Sequence, residues 1–139
     1  MNHLLDTNVI SELRKSGSSA SRAVRNWVAG MAPESLFLSV ITVMEIDIGV
    51  GRVERRDPQQ GKRLRAWLDE RVLLAFDLRI LPVDLPVARW AARSHVPDPR
   101  PERDALIAAT AAVHGMVLAT RNTRDFSAMP VQLFDPWSP

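Results

Sequence analysis

Four carboxylates carry the chemical signal in this chain: Asp6 after the apolar pair Leu4-Leu5, Glu45 in "TVMEI", Asp104 in "ERDAL" and Asp125 in "NTRDF". Carboxylates about 4 Å apart repel by about 4 kcal/mol per pair at an effective dielectric near 20, so a fold that gathers them calls for a cation. The chain has no cysteine, and His3, His95 and His114 are scattered. The donors are therefore oxygens, which select a hard ion, Mg2+ or Mn2+. A hard divalent ion held by acids polarises a phosphate and lowers the pKa of a bound water, the chemistry of phosphoryl transfer.

Three of the four acids also have an ordinary structural use. Thr42-x-x-Glu45 has capping-box spacing. Asp104 near a helix start suits the helix dipole, worth about 0.3–1 kcal/mol. Asp125 suits a turn in "NTRDF". Asp6 is the exception, because an acid closing an apolar strand has little structural reason to be there.

The elements that must position these acids alternate. "HLLDT" (3–7), "SLFLS" (35–39), "ILPV" (80–83), "MVLAT" (116–120) and "VQLF" (131–134) read as strands. Helical spacing runs over 21–31 through Val24, Trp27, Val28 and Met31, and from Thr42 to about Val53 through Val43, Ile46 and Val50. Residues 62–76 form an amphipathic helix with Leu64, Trp67, Leu68 and Val72. Pro86 opens a helix to about Ser94, and an alanine-rich helix over 102–115 ends at Gly115. Residues 15–23, 55–62 ("RRDPQQGK") and 96–103 ("VPDPRPER") read as loops or breaks. This alternation predicts a three-layer α/β/α domain over 1–139, with a central, mostly parallel sheet between helices. Ligands of such sheets bind at the carboxyl ends of the strands. Asp6 lies at one such end, Glu45 and Asp104 in the first turns of helices beyond that edge, and Asp125 five residues past "MVLAT".

With 139 residues, 46% of them hydrophobic and 24% charged, the chain has the composition of one globular domain. No apolar run reaches the ~18 residues of a membrane span, and no secretory leader is recognisable, so a cytoplasmic protein is expected. Net charge is only +2, yet 16 of the 18 basic residues are arginine, Lys15 and Lys62 being the others. Arginine suits phosphates and bases, though a GC-rich genome gives the same bias. Arg121 and Arg124, beside the acidic edge, are the better candidates for nucleic-acid contact. Arg22, Arg25, Arg63 and Arg65 on helix faces are weaker ones. A haloacid-dehalogenase-type phosphatase needs a second acid two residues after the first, where this chain has Asn8. A receiver-like domain needs an acidic pair and a late lysine, and the chain has neither.

"LLDTNVISEL", "LSVITVMEIDIGV", "DALIAATAAVHGMVLATRNTRDF" and "FDPW" resemble the PIN-domain ribonuclease toxins of the VapC type, especially the FitB-like branch. The resemblance implies the toxin of a type II toxin–antitoxin system. It implies an Mg2+- or Mn2+-dependent endoribonuclease that leaves 5′-phosphate and 3′-hydroxyl ends. By similarity, Asp6, Asp104 and Glu45 bind the metal, and Asp125 completes the catalytic acids by orienting the water. Asn122 stands where some relatives carry an aspartate, so the fourth place falls to Asn122 or Asp125. Asn8, Thr120 and Asn122 would orient the acids and a water. The resemblance further implies a cognate VapB/FitA-like antitoxin, a homodimer, and DNA contact only through the antitoxin. The helix at 62–76, with Trp67, is a candidate partner surface. A catalytically weak member that mainly binds its antitoxin is the alternative.

Overall fold

The computed structural model describes residues 1–139. Five short parallel strands, β1 (His3–Leu5), β2 (Leu36–Ser39), β3 (Ile80–Leu81), β4 (Val117–Ala119) and β5 (Leu133–Phe134), lie in the order β3-β2-β1-β4-β5. The chain leaves β1 toward β2 on one side and β4 pairs on the other. The sheet thus reverses its winding beside β1, where open α/β sheets hold their ligands. The register His3↔Val117 to Leu5↔Ala119 aligns the ends of β1 and β4. The Asp6 N–H donates to the Ala119 carbonyl at 2.9 Å and extends that ladder by one rung.

Helices cover both faces. α1 (Thr7–Arg14), α2 (Arg22–Ala29), α3 (Val40–Arg56) and α4 (Pro58–Trp67) lie on one side, with α4 continuing through a π turn, Leu68–Val72, into α5 (Leu73–Ala75). On the other side lie α6 (Leu85–Ser94), α7 (Glu102–Val113) and α8 (Thr123–Phe126). Adjacent strand residues point to opposite faces. Leu5 accordingly packs with Val9, Ile10, Val24, Ile46, Val50 and Leu68, while Leu4 packs with Ile107, Ala108, Leu118 and Phe126. Small side chains let α7 lie close to the sheet through Ala108 and Ala111 and to α6 through Ala105 and Ala109. No helix is long and apolar enough to cross a membrane.

Three local expectations change. Residues 7–14, for which no helix was expected, form α1, whose N-cap is Asp6 itself. α3 begins at Val40 under a Ser39 cap, so Thr42 is not the start and Glu45 falls in the second turn. The Thr42 hydroxyl is buried without a partner, and the capping box with Glu45 does not form. The expected break at 55–62 is the start of α4: Asp57 caps it and Pro58, lacking an N–H, takes the first position.

Gly61 is there for a close crossing of α3 and α4. A Cβ at this position would stand 2.4 Å from the Glu54 Cα. Gly61→Ala is expected to destabilise the protein by about 1–3 kcal/mol, overpacking outweighing the better helix propensity of alanine. An unchanged or raised denaturant midpoint would contradict this crossing. Arg65 bridges the same two helices, at 2.7 Å from Asp47 and 2.9 Å from Glu54. It is thus a strut rather than a free RNA contact. Arg25 is likewise engaged, donating to the Lys15 carbonyl.

Candidate active site

Asp6 sits where β1 becomes α1 and is only 6% exposed. One carboxylate oxygen accepts the Thr7 N–H at 2.8 Å, and the other accepts the Thr120 hydroxyl at 2.7 Å. Thr120, fully buried just past β4, also accepts the Asn122 N–H at 3.0 Å, and the Asn8 amide stands 3.4 Å from the same oxygen. Glu45, from the second turn of α3, accepts the Thr7 hydroxyl at 2.6 Å and lies 3.8 Å from the Arg103 guanidinium. Thr7 therefore links the two acids, its backbone to Asp6 and its side chain to Glu45. Asp104 projects from the first turn of α7 and accepts no hydrogen bond from the protein.

Asp6, Thr7, Asn8, Glu45, Asp104 and Asn122 line one cavity of about 400 Å³, together with Ser11, Glu12, Lys15, Arg121 and Trp137. Asp6, Asn8, Glu45, Asp104, Arg121 and Asn122, all expected at the site, are on its wall, and Thr120 stands behind Asp6. Asp125 is exposed on α8 and is not on the wall; Asn122 is. The charge of Asp125 still reaches Asp6 and Asp104. Arg124 is exposed on α8, away from the wall.

Burial, above all, raises the pKa of Asp6, and the charges of Glu45 and Asp125 push the same way against the hydrogen bonds from Thr120 and Thr7. Asp104 is pushed up to about 6, again chiefly by burial, then by the charges of Asp6, Asp125 and Glu45. Every acid expected at the site thus acts on Asp104, which has no donor to offset them. A cation among them would reverse this field.

The donor set is all oxygen and suits a hard divalent ion. In this conformation no three acids or histidines close on one point as ligands. Mg2+ keeps several waters and takes one or two carboxylates.

Several wall residues were not expected. Glu12, 4% exposed on α1, pairs with Lys15 at 3.1 Å and accepts the Ser21 N–H at 2.8 Å. Its pKa is lowered, first by that backbone N–H and further by Lys15 and Arg121. Ser11, Glu12 and Lys15 reach the cavity because 7–14 is helical, a signal that three-to-four spacing from Thr7 could have given. Trp137 arrives from the C-terminal turn, and no local pattern announces that contact.

A PIN domain family model matches residues 3–131. The chain is 38% identical to VapC ribonuclease Y4jK of Sinorhizobium fredii, over 98% of each chain. It is 39% identical to toxin FitB of Neisseria gonorrhoeae, over 96% of this chain and 97% of that one. The crystal structure of FitAcB from Neisseria gonorrhoeae superposes with a TM-score of 0.88 at 37% identity, covering 99% of each chain. A toxin–antitoxin complex from Klebsiella pneumoniae superposes with a TM-score of 0.71 at 27% identity, covering 97% of this chain and 98% of that one.

Proposed function

From the premise that this chain belongs to the PIN-domain family, alongside VapC- and FitB-type toxins, we propose that it is the toxin of a toxin–antitoxin pair and a divalent-metal-dependent endoribonuclease. The observation that carries this reading is the cavity at the β1/β4 switch point. There Asp6, Glu45 and Asp104 arrive from three different elements, and the charge of Glu45 adds to burial in raising the pKa of both Asp6 and Asp104.

Asp6, Asp104 and Glu45 would hold Mg2+ or Mn2+, directly or through water. When bound, the ion supplies a polarised phosphoryl oxygen and a water of lowered pKa. Thr7 and Thr120 hold Asp6 in one orientation with donors on both oxygens, which favours its ionised form. Thr7 also donates its hydroxyl to one oxygen of Glu45 and so orients that carboxylate. Asn122 and Asn8 order the floor around Thr120, and Asp125 adds negative charge from behind. A water oxygen would bond to phosphorus and give up a proton to solvent as the bond from phosphorus to the 3′-oxygen breaks. The leaving 3′-oxygen would take up a proton from solvent, so that one water is consumed and a 5′-phosphate and a 3′-hydroxyl remain.

Partner control has a surface to act on. A second cavity of about 220 Å³ between α1, α3 and α4 is lined by Val50, Val53, Leu64 and Trp67 and shares Thr7, Ser11 and Glu45 with the acidic one. An antitoxin segment seated there, on the helix expected to meet a partner, reaches the acids from the side.

The test is cleavage of total RNA by the purified protein with Mg2+, with Mn2+ and with EDTA, followed by mapping of the ends. Metal-dependent cuts with 5′-phosphate ends support the reading. No cuts with either metal, or cuts that persist in EDTA, reject it.

A further inference from the structure

We propose that Arg121 and Trp137 form a stacking platform for one nucleobase of a single-stranded RNA beside the acidic cavity. The location rests on the ribonuclease reading; the claim itself concerns binding. Trp137 is the only apolar residue on the cavity wall. The Arg121 guanidinium lies over its ring, with Cζ 5.2 Å from the centroid. The indole is half-buried and backs onto the core that contains Leu5 and Leu38. A tight turn fixes it: the Trp137 N–H donates to the Asp135 side chain at 2.8 Å, and the Ser138 N–H donates to the Asp135 carbonyl at 3.1 Å. Arg121 is exposed, so the guanidinium face away from the indole is left to solvent.

Position and charge agree with this role. Arg121 directly follows Thr120, the residue that donates to Asp6, and its own N–H points to Asn8 at 3.4 Å. Two cations line the cavity. Lys15 is paired with Glu12, whereas Arg121 makes no ion pair. A cavity walled by carboxylates repels a phosphodiester, so the strand needs an anchor outside the acids. A planar, weakly hydrated guanidinium backed by an aromatic ring offers one that any base can use. A lysine could supply the charge but not the plane.

Two substitutions separate this role from packing and from simple charge. Arg121→Lys keeps the charge, and Trp137→Leu keeps apolar bulk against the core. The probes are a fluorescein-labelled octamer of riboadenylate and the same sugar–phosphate octamer without bases. Binding is followed by anisotropy in EDTA at two salt concentrations. The wild type is expected to prefer the base-bearing strand by about tenfold, the stacking of one base. Both variants should bring that ratio near one, and Arg121→Lys should keep the salt slope. A wild-type ratio near one, no binding of the octamer, or an undiminished ratio in either variant overturns the platform. If Trp137→Leu fails to fold, the exposed Arg121→Lys decides alone. Total-RNA cleavage run in parallel keeps the two readings apart. Lost cleavage with base-dependent binding sinks the catalytic reading only, and intact cleavage with a ratio of one sinks the platform only.

Discussion

Asp104→Asn is expected to lower metal-dependent RNA cleavage by on the order of 10³-fold, the scale of losing one charged group from a preorganised site. It is also expected to stabilise the metal-free protein at neutral pH. Both follow from the position of Asp104, half-buried, without a donor, and within reach of the charges of Asp6, Asp125 and Glu45. Its pKa rises from an ordinary 3.8 to about 6 on folding. Between those values the native state binds more protons than the unfolded one, so stability falls as pH rises from about 4 to about 6. The loss is complete above that window. Asparagine has nearly the same shape and no charge, so the variant should show a flatter melting temperature from pH 4 to 7 and the higher value at pH 7. Gel assays of cleavage and calorimetry without metal read the two effects. Cleavage within tenfold of wild type, or a melting temperature that falls with pH in parallel with it, would contradict this role. Asp6→Asn should also abolish cleavage with a smaller stability gain, because its amide would set an N–H against the Thr7 N–H or the Thr120 hydroxyl.

Thr120→Val should cost about 10–100-fold in cleavage, the usual penalty for losing a residue that orients a ligand. The substitution is nearly isosteric and lies at a fully buried position. It removes the donor at 2.7 Å from Asp6 and the acceptor of the Asn122 N–H. Without that donor the pKa of Asp6, already raised by burial, rises further, and the acid limb of the rate profile moves to higher pH. Thr120→Ser keeps the hydroxyl and should retain most activity. Full activity in the valine variant with a loss in the serine variant would show that the methyl packing, not the hydroxyl, matters.

The sheet, and the placement of Asp6, Glu45 and Asp104 at one edge of it, were legible because apolar runs and helix signals alternate so regularly; Asp125 lies off the cavity wall. "LLD" alone places a carboxylate at the end of a central strand. What escaped was local. α1 carries a short apolar stripe, Val9, Ile10 and Leu13, packed on the core, but it is only eight residues long, turns Thr7, Asn8, Ser11 and Glu12 to the cavity, and follows the apolar strand without a break. Asp6 ends the strand and caps that helix at once, which leaves no loop residues to mark the change. Pro58 and Gly61 were read as a break, whereas one starts α4 and the other permits its crossing with α3. Ser39 took the cap expected of Thr42, which leaves the Glu45 carboxylate to Thr7 and Arg103. Trp137 and Arg121 meet only through tertiary structure, although they lie in "FDPW" and "VLATRNTRDF", two of the segments that carry the family resemblance.

Calorimetric titration of Mn2+ into the metal-free protein at pH 7 tests the central claim most directly, since the acids are held to share a hard cation. The wild type should bind saturably, give up Mn2+ to excess Mg2+, and melt at a higher temperature with metal by mass action. Asp6→Asn and Asp104→Asn should each bind Mn2+ at least about tenfold more weakly. No saturable binding at millimolar Mn2+, or binding unchanged in both variants, would contradict the account.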